Sequence, residues 1–522
     1  MTSRLPKICV AIQASTPAEM FARAAAALKD ARFLEFRLDS LPSPSSALPR
    51  LKKFLAEHNL TAIATCRRKP NSGGFTGSLD EELSILLKAA RAGCRIVDLE
   101  IESAEEASPS QLERFRAALR KTGAQLIVSF HDFSRTRAVI HAADRIASFA
   151  PDFVKVVSTA QLLSDNLSIL RLVEDRSSSS RILGIAMGEE GLVSRVLGPR
   201  AGGAFTFASL EDGTGTAPGQ VTAKTMRALY RAHKLNADTR IFGVAGNPIA
   251  HSLSPLMHNT AFRREGVNAV LLPLKTRTAQ DLLTLMLELP MAGAAVTMPL
   301  KQEVMPHLAG MDPLVQRIGA CNTLRVGGDL KLYGYNTDVA GVVRPLERHL
   351  QLKGARIAVL GAGGAARAAV FGLVDQGAEV FIVNRTHEHA VTLARASKAK
   401  ALKHEQFARR HFDALINSTP CGMKDSKQPL PIAENELNTG LLFDMVYNPL
   451  ETPLLKLAKS RGIPVVTGLE MFVQQGARQF EIWTGKPAPE SEMMKVVDHE
   501  LRKRAEVSPE ETASSNGRKK KA

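Results

Sequence analysis

Residues 216–259 read TAPGQVTAKTMRALYRAHKLNADTRIFGVAGNPIAHSLSPLMHN. The pattern predicts a helix from Val221 to His233, a polar spacer from Lys234 to Thr239, and then a fresh apolar strand from Ile241 to Ala245. A strand that starts anew after a charged spacer marks the opening of another folding unit. The chain therefore divides here, and each side is read separately.

To the left lie eight short apolar, often β-branched runs: Lys7–Ile12, Phe33–Asp39, Ala62–Arg67, Ile96–Glu102, Gln125–Phe133, Phe153–Ala160, Arg181–Gly188 and Ala204–Ser209. Helical patterns such as Pro17–Lys29, Leu79–Arg91, Gln111–Lys121 and Arg135–Phe149 separate them. Eight βα repeats in roughly 230 residues predict a (β/α)8 TIM barrel, whose polar chemistry belongs at the C-terminal ends of the strands.

The charged residues fall at those ends. Glu35 and Arg37 share one side of their strand by period-two spacing, as do Asp98 and Glu100 on theirs. Arg67 closes the third strand, His131 and Asp132 the fifth, and Lys155 sits inside the apolar frame FVKVV of the sixth. Burial there disfavours the ammonium and makes the amine a nucleophile toward a ketone, with a histidine on the adjacent strand to move protons. A structural ion pair of Lys155 with Glu35 or Glu100 is the plain alternative. Arg37, Arg67 and Arg195 at one barrel mouth favour a carboxylate ligand.

The ordered motifs LEFRLD (34–39), TCR (65–67), SFHDF (129–133), VKVVSTA (154–160), AMG (186–188), SRVLG (194–198) and TAPGQ (216–220) resemble the type I 3-dehydroquinate dehydratases over Lys7 to His233. The resemblance implies that Lys155 forms a Schiff base with the substrate ketone. His131 would take the C2 proton and return one to the leaving hydroxyl, while the iminium stores the electron pair. It also implies that Glu35, Arg37, Arg67, Met187, Arg195, Thr216 and Gln220 hold the substrate. One departure stands out: Asn71-Ser72-Gly73-Gly74 replaces the family's Glu-Gly-Gly, whose glutamate steadies the histidine. Glu100 is open to that role; without any partner, proton transfer is expected to slow.

To the right, FGVAGNPIAHSLSPLMHN (242–259) gives strand, polar loop and helix, with Ser252 and Ser254 on one side of the loop. AVTMPLK (295–301), ACNTL (320–324) and GYNTDVAG (334–341) each place polar residues just beyond an apolar run. Lys301 and Asp338 are the candidate acid–base couple, against the plain reading of a surface lysine and a helix-capping aspartate. RIAVLGAGGAARAAVFGL, from Arg356, joins a strand to an Ala-rich helix through Gly361, Gly363 and Gly364, with Ala366 at the third glycine position. Free N–H groups at such a turn cradle a pyrophosphate. Asn384-Arg385 lies 23 positions beyond Gly361, where an acidic residue would select NAD, so Arg385 favours the 2′-phosphate of NADP.

With INSTPCGM (416–423), FDMVYNP (443–449) and GLEMFVQQ (468–475), these motifs resemble the shikimate dehydrogenases from Arg240 to about Arg502. The resemblance implies that Lys301 and Asp338 exchange a proton with the C3 oxygen during hydride transfer. Ser252, Ser254, Thr297, Asn322, Tyr447 and Gln475 would bind substrate. Gly361, Ala362, Gly363, Gly364, Ala365, Asn384, Arg385, Thr386 and Thr419 would contact NADP, with Met445 and Met471 flanking the nicotinamide. His389 beside the 2′-phosphate makes NADP affinity a candidate for pH dependence.

The expected organisation is a barrel over 1–233, a substrate domain over 239–342 completed by 468–503, a Rossmann NADP domain over 343–467, and a disordered basic tail over 504–522. Within the shikimate pathway, the two units together are expected to turn 3-dehydroquinate into 3-dehydroshikimate and then shikimate. Rivals are a catalytically inactive sensor of quinate or shikimate on the same folds and a dehydrogenase preferring quinate.

Composition agrees with small anionic ligands. The net charge is +16 over 522 residues, but outside the last residues it is dispersed rather than gathered into a nucleic-acid stripe. The five cysteines are widely spaced with no CxxC pair, which suits reduced thiols in the cytoplasm, and neither a membrane span nor a metal site is expected.

Overall fold

In the computed structural model, residues 5–518 are described, except 212, 214, 424 and 425, with side chains as far as residue 506. The eight apolar runs form strands β1 (Ile8–Ile12), β2 (Phe33–Arg37), β3 (Thr61–Thr65), β4 (Ile96–Glu100), β5 (Gln125–His131), β6 (Phe153–Thr159), β7 (Ile182–Met187) and β8 (Thr206–Ala208). Each of β1 to β7 pairs in parallel with its neighbour in sequence, and β1 also pairs with β8. Ala204 N–H donates to Ile182 O at 2.9 Å, linking the start of β8 to β7. The result is the expected (β/α)8 barrel.

The inward residues form layers, as period-two strands require. Cys9, Phe33, Ile63, Ile96, Ile127, Phe153, Leu183 and Phe205 belong to one apolar cluster. Two positions further along the strands, the same face carries Glu35, Thr65, Asp98, Ser129 and Lys155, all buried. The apolar layer thus floors a polar one.

Two local expectations are corrected. Residues 221–233 are not a regular helix but hold a five-residue π-helical turn, Thr225–Leu229, after which the chain reverses at Arg231 with φ of 51°. Strand β4 ends at Glu100, and a short helix, Ile101–Glu106, precedes the expected one, Pro109–Arg120.

Beyond the spacer, β9 (Arg240–Gly246), β10 (Ala269–Lys275), β11 (Met291–Val296), β12 (Gly310–Met311), β13 (Thr323–Val326) and β14 (Leu332–Tyr335) build a mixed sheet in the order β10-β9-β11-β13-β14-β12. The helix Gly468–Thr484 and the first turns of Glu490–Arg518 return to it: Val473, Ala477, Phe480, Trp483, Met493 and Val497 share a core with Phe242, Val244 and Phe262. Between them, β15 (Arg356–Leu360), β16 (Glu379–Val383), β17 (Lys400–Ala401), β18 (Ala414–Asn417), β19 (Leu442–Asp444) and β20 (Val465–Thr467) form a parallel sheet in the order β17-β16-β15-β18-β19-β20. That is the doubly wound order 3-2-1-4-5-6, in which ligands lie beyond the strand ends where the order reverses, here between β15 and β18.

By contacts the chain falls into two compact units, Met1–Thr239 with Leu272–Pro290, and Arg240–Leu271 with Met291–Ala522. Residues 272–290 fall in the first unit of this division, where Asp281 accepts from the backbone N–H groups of Leu163 and Ser164 at 3.0 and 2.9 Å. Lys275 also bridges Glu189 and Glu190 at 2.8 and 2.9 Å. Where disorder is expected from residue 504, the backbone stays helical to Arg518, and the basic residues 519–521 of the expected tail lie outside the described residues. Among the described residues, no helix is long and apolar enough to cross a membrane.

Candidate active sites

The register of β5 against β6 pairs Ser129 with Lys155 and His131 with Val157. His131 therefore stands two positions beyond Lys155 on the neighbouring strand, on the same face. One cavity is lined by Lys155 and His131 together with Glu35, Arg37, Arg67, Met187, Arg195, Thr216 and Gln220. All nine residues expected at the barrel mouth meet there: five on β2, β5, β6 and β7, Arg67 just beyond β3, Arg195 on the helix Leu192–Leu197, and Thr216 and Gln220 in the segment after β8.

Lys155 pairs with Glu35, one of the two expected carboxylates, but its shorter bond is to Asp98, which was not expected. Its Nζ donates to Asp98 Oδ2 at 2.7 Å, stands 3.9 Å from Glu35 Oε1 and lies 4.4 Å from the Phe207 ring centre. Asp98 and Glu35 thus offset the desolvation of the ammonium, and Thr65 Oγ1 donates to Glu35 at 2.8 Å. Burial would raise the Asp98 carboxyl, but Lys155 and Arg67 outweigh it and hold it below its ordinary value. Spacing placed Asp98 inward with Glu100; only the register makes it the lysine's partner.

Glu100 is engaged elsewhere. It accepts from Arg68 N–H at 2.8 Å and stands 3.4 Å from Arg67 Nε, and burial raises it to about 7. It does not hydrogen-bond His131. Among the described residues no side chain does, and the imidazole stacks on Phe133 at 5.9 Å. Burial, with Arg67, Lys155 and Arg37 nearby, holds His131 well below its ordinary pKa, so it is a neutral base at pH 7. The loop with the altered motif keeps its two glycines for a steric reason: a Cβ on Gly73 would lie 2.0 Å from Arg67 O, and one on Gly74 2.1 Å from Asp39 O. The backbone path survives while the glutamate is gone.

Two arginines are prepared differently. Arg37 is clamped by Asp39 through two hydrogen bonds of 2.9 and 2.7 Å, a partner the motif contains but spacing does not reveal. Arg195, 1% exposed, donates from Nη1 to Phe207 O at 3.1 Å and leaves Nε and Nη2 without partners. Burial pulls its pKa down to about 10. A buried cation with two free donors is costly unless an anion completes it.

In the second unit, Lys301 Nζ donates to Asp338 Oδ2 at 2.7 Å, and Asn322 Nδ2 donates to Asp338 Oδ1 at 2.9 Å. Lys301 and Asp338 are partly exposed, so the couple is open to a ligand. Ser254 N–H donates to Ser252 Oγ at 3.3 Å, and Thr297 follows β11 with its N–H on Ala245 O at 2.9 Å. Tyr447 stacks on Phe472 at 5.2 Å, and Gln475 donates to Phe472 O at 2.9 Å. Among the described residues, no hydrogen bond joins these five to the couple.

The glycine turn fits a dinucleotide phosphate. Gly361 has φ of 112°, and its Cβ would meet Ser418 Oγ at 2.6 Å, whereas Cβ atoms on Gly363 and Gly364 would meet nothing within 4 Å. That open space lies at the start of the twelve-residue helix Gly364–Asp375, whose first N–H groups are free for an anion. Ala362 and Ala365 frame it, and Thr419 Oγ1 is held by Asn417 Oδ1 at 2.7 Å at the end of β18. Asn384 Nδ2 donates to Thr386 O at 2.8 Å; Arg385, beyond β16, is exposed and makes no ion pair among the described residues. Met445 and Met471 pack against the core of the parallel sheet.

The chain matches four family models: type I 3-dehydroquinase over residues 8–237, shikimate dehydrogenase substrate binding domain over 244–324, shikimate / quinate 5-dehydrogenase over 345–424, and shikimate 5'-dehydrogenase C-terminal domain over 468–497. It is 34% identical over 482 residues to the bifunctional 3-dehydroquinate dehydratase/shikimate dehydrogenase, chloroplastic, of Arabidopsis thaliana, covering 88% of this chain and 78% of that one. It is 42% identical over 252 residues to the shikimate dehydrogenase (NADP(+)) of Maridesulfovibrio salexigens, covering 47% of this chain and 92% of the relative. A solved structure of dehydroquinate dehydratase and shikimate dehydrogenase from S. pombe shares 26% identity, covers 95% of this chain and 98% of its own, and has a TM-score of 0.45.

Proposed function

The chain belongs to the bifunctional 3-dehydroquinate dehydratase/shikimate dehydrogenase family, and on that premise we propose which side chains carry its two pathway steps, a dehydration and an NADP-linked reduction. It is a lyase and an oxidoreductase in one chain, dehydrating 3-dehydroquinate to 3-dehydroshikimate and reducing that to shikimate.

In the barrel, the Lys155 ammonium passes a proton to neutral His131, its free amine attacks the substrate ketone, and His131 returns the proton to the carbinolamine hydroxyl, which leaves as water to give the iminium. His131, neutral by burial, removes the C2 proton; the electron pair moves toward the iminium nitrogen and then expels the hydroxyl, which leaves as water with a proton from His131. Hydrolysis returns the amine. Arg195 supplies the two free donors for the substrate carboxylate, with Arg37, Arg67, Met187, Thr216, Gln220 and Glu35 around the ring. The shared cavity is the observation that carries this assignment. His131 stacks on Phe133, and among the described residues no side chain takes the place of the family's glutamate.

In the second unit, NADPH supplies a hydride to the ketone carbon when bound. Lys301 donates a proton to the ketone oxygen, and Asp338, held by Asn322, keeps Lys301 in place. Ser252, Ser254, Thr297, Tyr447 and Gln475 hold the substrate. The turn from Gly361 to Ala365, with Asn384, Arg385, Thr386, Thr419, Met445 and Met471, holds the cofactor.

We assign the barrel to 1–233, the substrate domain to 239–342 with 468–503, and the Rossmann domain to 343–467. Five free cysteines support a cytoplasmic setting, and dispersed charge supports ligands other than nucleic acid. Retention of both reactive lysines favours an enzyme over a sensor.

Borohydride reduction with 3-dehydroquinate, followed by peptide mass mapping, should place the adduct on Lys155. NADPH oxidation with 3-dehydroshikimate should vanish in Lys301→Met. An adduct elsewhere, or full activity in Lys301→Met, overturns the respective assignment.

A further inference from the structure

Behind the Lys301–Asp338 couple runs a buried line of hydrogen bonds. Asn322, whose Nδ2 serves Asp338, accepts at Oδ1 from Thr337 N–H at 2.8 Å and from Thr323 Oγ1 at 2.8 Å. Thr323 Oγ1 in turn accepts from Gln479 Nε2 at 3.1 Å, and Gln479 Oε1 faces His258 Nε2 at 3.2 Å. Every member of this line from His258 to Asn322 is buried, on the helices Ser254–Arg264 and Gly468–Thr484 and at the start of β13.

The direction of each bond is fixed. Gln479 Nε2 also approaches Asn322 O at 3.5 Å, an acceptor only, so the amide oxygen must face the histidine. His258 therefore carries its proton on Nε2 and leaves Nδ1 bare, as its unpartnered Nδ1 agrees. Burial lowers His258 to about 4, so the ring is neutral, and it is wedged against Trp483 at 5.1 Å and Phe262 at 6.2 Å. With its acceptor side taken by Gln479, the Thr323 hydroxyl sends its proton to Asn322 Oδ1 at 2.8 Å in preference to Thr337 Oγ1 at 3.3 Å.

We propose that His258 and Gln479 are positioning residues for the dehydrogenase, setting through Thr323 the orientation of Asn322 and hence the carboxylate that holds Lys301. This rests on the assignment of Lys301 and Asp338 as the reacting couple. Thr337 anchors Asn322 from the other side, its N–H donating to Oδ1 at 2.8 Å and its Oγ1 accepting from Nδ2 at 3.0 Å, so the line is one support among several. Its loss is worth about tenfold in rate, the scale of one hydrogen bond.

In the full-length enzyme, His258→Leu should lower dehydrogenase kcat about tenfold, leave the KM for NADPH unchanged and leave dehydration unchanged. His258→Gln, whose amide nitrogen reaches the Nε2 position, should recover most of that loss. Thr323→Val cuts the same line without disturbing the aromatic wedge and decides the matter if His258→Leu does not fold. Wild-type kcat in Thr323→Val, or equal impairment of folded His258→Gln and His258→Leu, overturns the proposal. Full activity in Lys301→Met would instead overturn the site assignment on which it rests.

Discussion

Replacing Lys155 by methionine perturbs catalysis and stability by separable amounts. The ammonium neutralises Asp98 at 2.7 Å and stands 3.9 Å from Glu35, both buried. Removing it strands a carboxylate whose other oxygen has no partner, and breaking a buried pair from one side costs about 3–5 kcal/mol. Dehydration should fall about a thousandfold or more, since nothing else in the cavity offers a nucleophilic amine. Lys155→Met combined with Asp98→Asn removes both charges, so it should recover most of the stability and none of the activity. Denaturant titration followed by circular dichroism reads the first quantity. Appearance of the conjugated product by ultraviolet absorbance reads the second. Dehydration near the wild-type rate in Lys155→Met would refute the covalent route, and a double variant as unstable as the single one would refute the electrostatic reasoning.

Arg195→Met should raise Tm while raising the KM for 3-dehydroquinate tenfold or more, because the unpaired guanidinium is a cost that only the substrate offsets; a lowered Tm counts against this. Glu82 is fully buried, accepts from Ser103 at 2.7 Å, and is raised by burial from the carboxyl value of 4.5 to about 7. The folded state therefore holds its proton more tightly: the stabilisation is complete below about 4.5 and is lost as pH rises through about 7, amounting to about 3 kcal/mol. Glu82→Gln should flatten that loss, gaining over the wild type at pH 8 and not at pH 5. The same gain at both values would sink the explanation. Arg385→Ala should raise the KM for NADPH about tenfold and leave that for NADH unchanged, and an equal rise for both would remove its role at the 2′-phosphate.

Strand periodicity was sufficient to find all eight barrel strands within a few residues and to place Glu35, Arg37, Lys155 and His131 on inward faces. It failed where the backbone leaves regular geometry. Residues 221–233 carry a helical pattern, yet the turn widens into a π-helix and Arg231 takes a positive φ of 51°.

By itself the sequence determined what depends on local order: the alternation of strands and helices, the glycine turn before an Ala-rich helix, and the candidates for the reactive side chains. Only the tertiary structure decided which charges meet. Lys155 is paired with Asp98 and not Glu100 because the registers of β4, β5 and β6 set heights around the barrel, and no one-dimensional spacing encodes a register. Likewise His258, Gln479 and Thr323 are separated by up to 221 residues and become one line only when two helices close over β13.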